Sequence, residues 1–315
     1  MVMQPKVSVI IPVYGVEHLI ERCARSLFEQ TLDSIEFLFI NDCTPDKSIE
    51  VLRSVLSEYP NREEQVHIIR MPFNQGQAKV RNKGISLAKG EYTIHCDSDD
   101  WVEPIMYERM YEEAKKNKAD VVVCDYNETD GVSKRSFSAF QHSNEKVSNK
   151  LSDWNCAGQL WNKLFRTELY SKIILPQDNM GEDMAMVSQM IYFCKRIIYI
   201  REPYYNFFHR PDSITHDTSD ERVLKNFLQA CNNARIVERF YNQIGMNEET
   251  RRTLVRIKYQ ERSKIQPIIR HKNEYYLAWK NAFPEINKAI WFEPALSIKD
   301  KLKHFLILLH LYPLK

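Results

Sequence analysis

Asp97-Ser98-Asp99-Asp100 places three carboxylates in one short segment. It directly follows Glu91-Tyr92-Thr93-Ile94-His95-Cys96, which reads as a buried strand entered from Gly90. Carboxylates this close repel one another and destabilise a fold unless a cation sits among them. Hard oxygen ligands at the mouth of a strand suit Mg²⁺ or Mn²⁺ carrying a phosphate-bearing substrate. A solvated acidic turn is the plainer alternative, so the surrounding elements must decide.

Those elements alternate. Val7–Val13 is a continuous, β-branched apolar run, followed by a helical stripe through Leu19, Ile20, Cys23, Leu27 and Phe28. Next come a strand over Ile35–Ile40 and a helix on Ile49, Leu52, Val55, Leu56 and Tyr59. A short strand Val66–Ile69, a helix over Ala78–Ala88, the acidic strand, a helix over Ile105–Lys115 and a strand Asp120–Cys124 complete the pattern. Strands apolar on both faces, joined by helices, predict an α/β domain with a mostly parallel, Rossmann-like sheet. Ligands of such sheets bind beyond the carboxyl ends of the strands.

The polar residues at those ends are therefore the candidates. Asn41, Asp42, Cys43, Thr44, Pro45 and Asp46 follow the second strand. Asp42 is read as a ligand contact, and Asp46 equally as a turn-former or helix N-cap. The segment Phe73–Asn82 opens a helix; Gly76 lets backbone amides approach a bound group, and Arg81 one turn in can meet phosphate.

Asp130–Asp153 is polar and reads as a loop or insertion over the site. Beyond Asp217 the chain reads as helical, with one stripe on Val223, Phe227, Ala230, Ala234 and Val237 and a weaker one on Leu254, Ile257, Glu261 and Ile265, ended or kinked near Pro267. Ile298, Leu302, Phe305, Leu306, Leu309 and Leu311 form an apolar helical face beside Lys299, Lys301, Lys303 and Lys315. That face either packs on its own domain or lies on an anionic membrane surface.

The 315 residues accommodate a 1–216 domain and a 217–315 helical region. Lys+Arg 44 nearly balances Asp+Glu 42, which gives no electrostatic case for a nucleic-acid partner. Seven scattered cysteines with no CxxC pair point to reduced thiols in a cytoplasmic protein, and the basic apolar helical face leaves open a peripheral place at the inner face of the cell membrane. No apolar run is long enough to span a bilayer, so the expectation is a soluble protein.

Taken in order, Val7-Ser8-Val9-Ile10-Ile11-Pro12-Val13-Tyr14, Asn41-Asp42, Asn74-Gln75-Gly76…Arg81-Asn82-Lys83-Gly84 and Asp97-Ser98-Asp99-Asp100-Trp101 resemble the nucleotide-sugar-binding half of family 2 glycosyltransferases. Trp161-Asn162-Lys163-Leu164-Phe165, Gly181-Glu182-Asp183 and His209-Arg210-Pro211-Asp212-Ser213-Ile214 match the second half, so the resemblance covers residues 6–216. Cys43-Thr44 stands where the family usually carries Gly-Ser, and the helical tail has no match.

The resemblance implies a GT-A fold and an inverting, metal-dependent sugar transfer. The donor would be a nucleotide-sugar, UDP-linked by preference, and the acceptor a glycan or lipid-linked glycan in polysaccharide assembly. It implies that Asp42 meets the base beside Pro12 and Tyr14, with Arg81 on the base or phosphate side. Asp97 and Ser98 would hold ribose or sugar, and Asp99 and His209 would ligate Mn²⁺ or Mg²⁺. Asp100 would support donor or metal, Arg210 would meet the diphosphate, and Asp183 would be the catalytic base, with Glu182 as its substitute.

The chemistry agrees: a departing diphosphate needs charge neutralisation, and one carboxylate on the opposite face of the anomeric carbon can take the acceptor proton. A helix-terminal charge is the plain alternative for Glu182 and Asp183; packing is the plain role for Trp101 and Trp161, with stacking on a sugar face as the other. Two other functions compete. A nucleotidyltransferase needs a Gly-rich phosphate loop after strand one, where Tyr14-Gly15-Val16-Glu17-His18 is a poor cradle. A non-catalytic carbohydrate-binding or scaffold protein is the remaining alternative, opposed by the joint presence of Asp42, Asp97, Asp99, Asp183 and His209.

Overall fold

The computed structural model describes residues 4–139, 158–210 and 218–311. Among the described residues nine strands form one sheet in the order β3-β2-β1-β4-β8-β6-β9-β5, with β7 on β6. Its first half is as the sequence predicts. β1 (Val7–Val13) pairs in parallel with β2 (Ile35–Asn41) and β4 (Tyr92–His95), and β2 with β3 (Val66–Arg70).

The period-2 alternation is visible in the packing. Val7, Val9, Ile11 and Val13 face one core with α1 (Ile20–Phe28) and α2 (Ser48–Leu56). Ile10 faces the other, against Val80 of α3 (Gln77–Leu87).

The second half departs from a mostly parallel sheet. β8 (Lys163–Arg166) enters antiparallel between β4 and β6 (Val121–Thr129). β5 (Trp101–Val102) runs antiparallel to β9 (Ile197–Phe208), although β9 itself is parallel to β6. The sheet is therefore mixed. The reason lies in the Trp161–Phe165 segment: Asn162 Nδ2 donates to the Cys124 carbonyl at 3.0 Å, and the buried Lys163 ammonium donates to Asn162 Oδ1 at 2.8 Å and to the Gln159 carbonyl at 2.7 Å. These polar bonds seat β8 between two strands that a simple crossover would have made neighbours.

The predicted loop after Asp130 begins instead as a hairpin, β7 (Lys134–Phe137) on β6. The remainder of that prediction, 140–153, lies outside the described residues. Between the sheet elements, α4 (Met106–Asn117) covers the α1 side of the sheet, and α5 (Glu182–Phe193) covers the other side.

The helical tail forms α6 (Asp220–Ile244), α7 (Glu248–Ser263), α8 (Asn273–Asn281), α9 (Ile286–Phe292) and α10 (Ile298–Leu308). One apolar core runs from Val121 and Phe165 of the sheet through Met186 and Met190 of α5 to Phe227, Leu254, Trp279, Ile290 and Ile307. The tail is thereby joined to the sheet through α5. The described cysteines Cys23, Cys43, Cys96, Cys124, Cys194 and Cys231 are free thiols.

His304 anchors α10 within this core, its ring 5.2 Å from that of Trp279 and its Nε2 3.1 Å from Asn287 Oδ1. Burial, with the nearby Arg262 guanidinium, pushes its pKa down to about 4. A histidine neutral in the fold but basic when unfolded makes the unfolded chain the better proton acceptor. Its share of stability is thus present above pH 6.5 and is lost as pH falls towards 4. Thermal melts should show Tm falling across that window, and His304→Phe should flatten that part of the slope; an unchanged slope would place the titration elsewhere.

Candidate active site

The site grows from the carboxyl ends of β2 and β4. Asp42 is buried just past β2, and its carboxylate accepts the amides of Gln75 at 2.7 Å and Gly76 at 2.8 Å. It therefore holds the turn that opens α3, leaving one lone pair on each oxygen. Gly76 has φ 83°, and a β-carbon there would lie 2.2 Å from Asn179 Nδ2, so only glycine brings α3 up to the 179 segment. Cys43, at φ 54°, occupies a left-handed position where glycine is the easy residue, and its thiol donates to the Met71 carbonyl at 2.9 Å.

Pro12 lies in register with Ile40, and Tyr14 is half exposed beyond the strand end. Asp46 accepts from Ser48, Thr44 and the Glu17 amide; burial opposes its charge, but these bonds hold its pKa down at about 2. Asp46 is a turn-former.

Arg81 is the hub. It is 3% exposed, and its fork donates from Nη2 to Asp97 Oδ1 at 2.7 Å and from Nη1 to Glu182 Oε1 at 2.5 Å. Burial works against its charge, but Asp97, Glu182 and Asp183 together raise its pKa. Both arms face carboxylates rather than an open phosphate site. The fork ties the acidic loop after β4 to the Gly181-Glu182-Asp183 turn, whose Glu182 lies 101 residues beyond Arg81 in the chain. Burial holds the Glu182 carboxyl above the usual range, opposed by Arg81 and reinforced by Asp183. Gly181, at φ 77°, is the N-cap of α5, and Asp183 lies partly open in its first turn, with Oδ1 accepting the Met184 amide at 2.7 Å.

The three aspartates have separate surroundings. Asp97 is partly open, and Gln77 Nε2 reaches it at 3.4 Å. Asp100 is buried against β9, accepting the Tyr205 hydroxyl at 2.6 Å and the Phe208 amide at 2.7 Å. Burial and the charges of Asp99 and Asp97 raise its pKa strongly. It fixes the loop, while Ser98 is buried beside it. Burial and Asp97 also raise the pKa of Asp99, opposed by Arg210, whose Nη1 lies 3.4 Å from Asp99 Oδ2. Arg22, 3.7 Å over the Trp101 ring and 4.4 Å over that of Phe208, donates to the Asp99 carbonyl at 2.9 Å.

Trp101 is thus occupied by a cation, and Trp161 stacks on Tyr205 with ring centres 4.3 Å apart; both have packing roles. His209 Nε2 lies 2.9 Å from Glu128 Oε2 and does not join Asp99. Among the described residues no three acidic, histidine or cysteine side chains form a ready metal cage. Residues 211–214 of the His209 motif lie outside the described residues.

Asp97, Arg81, Glu182 and Asp183 line one cavity of about 420 Å³. Its other walls include Tyr126, Glu128, Trp161, Asn179 and Phe207, and, from α7, Gln260, Glu261 and Lys264. Lys264 Nζ pairs with Glu261 Oε2 at 2.5 Å, against Gly181. Motif reading missed the α7 wall. Its one trace in the sequence is Glu261, a charge set on an otherwise apolar helical stripe.

Residues 8–174 match the family described as Glycosyl transferase family 2. The uncharacterized glycosyltransferase EpsJ of Bacillus subtilis is 30% identical over 256 residues, 78% of this chain and 72% of that protein. The cholesterol galactosyltransferase of Borreliella burgdorferi is 30% identical over 68% of this chain and 63% of its own. In fold, the chain resembles S. aureus TarS (TM-score 0.70, 18% identity, 98% of this chain, 54% of that one). It also resembles the mannosyltransferase PcManGT of Pyrobaculum calidifontis, solved with GDP-Man and Mn²⁺ (TM-score 0.54, 15% identity, 99% and 82%). A mixed sheet with its acidic loop and a distant Glu-Asp turn locked together by one arginine is thus housed in a chain that belongs to glycosyltransferase family 2, an enzyme of sugar transfer.

Proposed function

We propose that this enzyme moves a sugar from a nucleoside-diphosphate sugar, with UDP as the preferred nucleotide, to a hydroxyl of a glycan or lipid-linked glycan, inverting the anomeric carbon. The observation that carries this reading is the Arg81 fork, which brings Asp97 and Asp183 to the walls of one cavity. The likeness to TarS solved with UDP-GlcNAc (TM-score 0.59, 17% identity) supports the nucleotide-sugar donor at the level of fold.

In this reading Asp97 and Gln77 orient the donor sugar, and the strand ends at Pro12, Tyr14 and Asp42 frame the base. The acceptor enters between Asp183 and the α7 wall. Asp183 takes the acceptor hydroxyl proton as the oxygen bonds to the anomeric carbon, and the bond to the diphosphate breaks on the opposite face. A single base and in-line displacement invert the configuration, as in hydrolases that use one carboxylate to activate the nucleophile. The lining carries two cations, Arg81 and Lys264, against the five carboxylates Asp97, Glu128, Glu182, Asp183 and Glu261. Burial pushes the Glu182 and Glu261 carboxyls towards the neutral form, and Arg81 and Lys264 offset most of the remaining charge, so the transfer point suits an uncharged acceptor sugar.

The donor set also fits a hard divalent cation. Asp99, partly open and crowded by Asp97, supplies one carboxylate, and Mg²⁺ or Mn²⁺ commonly binds one or two carboxylates plus substrate phosphates. Asp99 would hold the ion, with His209 as second ligand once it leaves Glu128. The bound ion would neutralise charge on the departing diphosphate, and Arg210 would add to that.

Calorimetry of UDP with and without Mn²⁺ tests this assignment. UDP should bind at least tenfold more tightly with the metal, and Asp99→Ala should remove that difference. Equal binding with and without metal in the parent enzyme would reject the metal site.

A further inference from the structure

The end of the helical region carries a surface that sugar transfer does not use. Ile298, Leu302, Phe305 and Leu309 recur at i, i+4, i+7 and i+11 and so share one face of α10. The helix seats itself through its opposite side, with His304 and Ile307 buried. The apolar stripe therefore points outward: Ile298 is 76% exposed, and Leu302, Phe305, Leu309 and Leu311 are exposed by 41% to 63%. Trp291 and Phe292 at the end of α9 extend it, Phe292 being 86% exposed and the Trp291 ring lying 5.9 Å from that of Phe305. Singly exposed apolar residues are ordinary, but a contiguous aromatic and aliphatic patch marks an interaction surface.

The rim of the patch names its partner. By helical spacing Lys299 and Lys303 flank one side of the stripe and Lys301 the other, and Lys288 lies beside Phe292 on α9. The only acidic residue of α10, Asp300, is engaged with Ser297 at its N-cap. A basic rim around an apolar stripe with tryptophan and phenylalanine is the pattern of a helix lying in a membrane interface. Two copies meeting stripe to stripe would bring lysine rims together, whereas an anionic lipid surface complements them. No helix among the described residues is long and apolar enough to cross a membrane, so the contact is with one leaflet.

We propose that α10 and the end of α9 form a peripheral docking surface for anionic lipid bilayers. The stripe enters the acyl boundary and the lysines meet headgroup phosphates. Vesicle partitioning reads this without turnover, so the result stands apart from the sugar-transfer assignment.

The test is flotation of the full chain with vesicles of phosphatidylglycerol in phosphatidylcholine, and with phosphatidylcholine alone. The protein should float with the anionic vesicles, more weakly at high salt, and stay down with the zwitterionic ones. Leu302→Glu with Phe305→Glu should lower partitioning by about tenfold or more. Lys299→Gln should lower it by about fivefold. Because Leu302 and Phe305 are half exposed, circular dichroism should stay unchanged, and the milder Leu302→Gln provides a second variant. Absence of flotation with either vesicle, or flotation unaffected by these changes, overturns the proposal. A dimer in sedimentation velocity that Leu302→Glu disperses, without flotation of the parent chain, overturns it in favour of a second copy.

Discussion

Asp183→Asn should lower turnover by roughly 10²–10⁴-fold, the range of a positioned general base, while leaving nucleotide affinity close to that of the parent enzyme. The substitution keeps the size of the side chain and an oxygen that can still accept the Met184 amide, so the first turn of α5 should persist. What it removes is the capacity to take a proton. Asp183 lies in the same cavity as Asp97 yet is not held by the Arg81 fork, whereas Glu182 is. Of the two acidic neighbours it is the freer to meet an acceptor hydroxyl. Steady-state transfer rates paired with calorimetry of UDP separate the effects. Unchanged turnover would shift the base to another residue, and lost nucleotide affinity would make Asp183 a donor ligand.

The largest stability effect is expected at Arg81. Arg81→Met leaves Glu182 buried without its cation and releases Asp97, and breaking a buried pair on one side costs about 3–5 kcal/mol. In a chain of this size that lowers Tm by roughly 10 °C. The deficit should grow with pH. Loss of the guanidinium raises the folded-state pKa of Glu182 further above its unfolded value, and a carboxyl raised in this way contributes stability below the unfolded pKa that is lost as pH rises through the folded one. The parent's Glu182 has a folded-state pKa of about 8, so the two deficits are alike below that pH and diverge above it: melts at pH 7 and pH 9 should show the smaller deficit at pH 7. Arg81→Met combined with Glu182→Gln should recover part of the loss, because the uncompensated charge is then gone. A deficit below about 1 kcal/mol would show that the fork is not what joins the two halves of the site.

The parallel half of the sheet was legible because each strand announces itself locally. Val7–Val13 and Ile35–Ile40 are apolar runs rich in β-branched and aromatic residues, each followed by a helical stripe, and the observed strands Val7–Val13 and Ile35–Asn41 agree with that reading to within one residue. Lys163–Arg166 was legible only as a motif. Four residues carry no period, and their strand character comes from partners at Tyr92–Thr93 and Val121–Val123, far away in sequence. Trp161–Phe165 also explains its own composition: asparagine and lysine are buried there to bond the Cys124 and Gln159 carbonyls. The α7 wall had no motif, because Gln260, Glu261 and Lys264 acquire meaning only when α7 packs beside Gly181.

By itself, then, the sequence determined the strand-end positions of Asp42 and Asp97, the crowding of Asp97, Asp99 and Asp100, and the amphipathic period of α10, since each of these follows from neighbours within a few residues. Tertiary structure alone decided that Arg81 spans Asp97 and Glu182, that Glu128 takes His209, and that α10 turns its apolar stripe outward. Charge compensation and the choice of which helix face is covered depend on atoms brought together from distant parts of the chain, and no local pattern encodes which partner arrives.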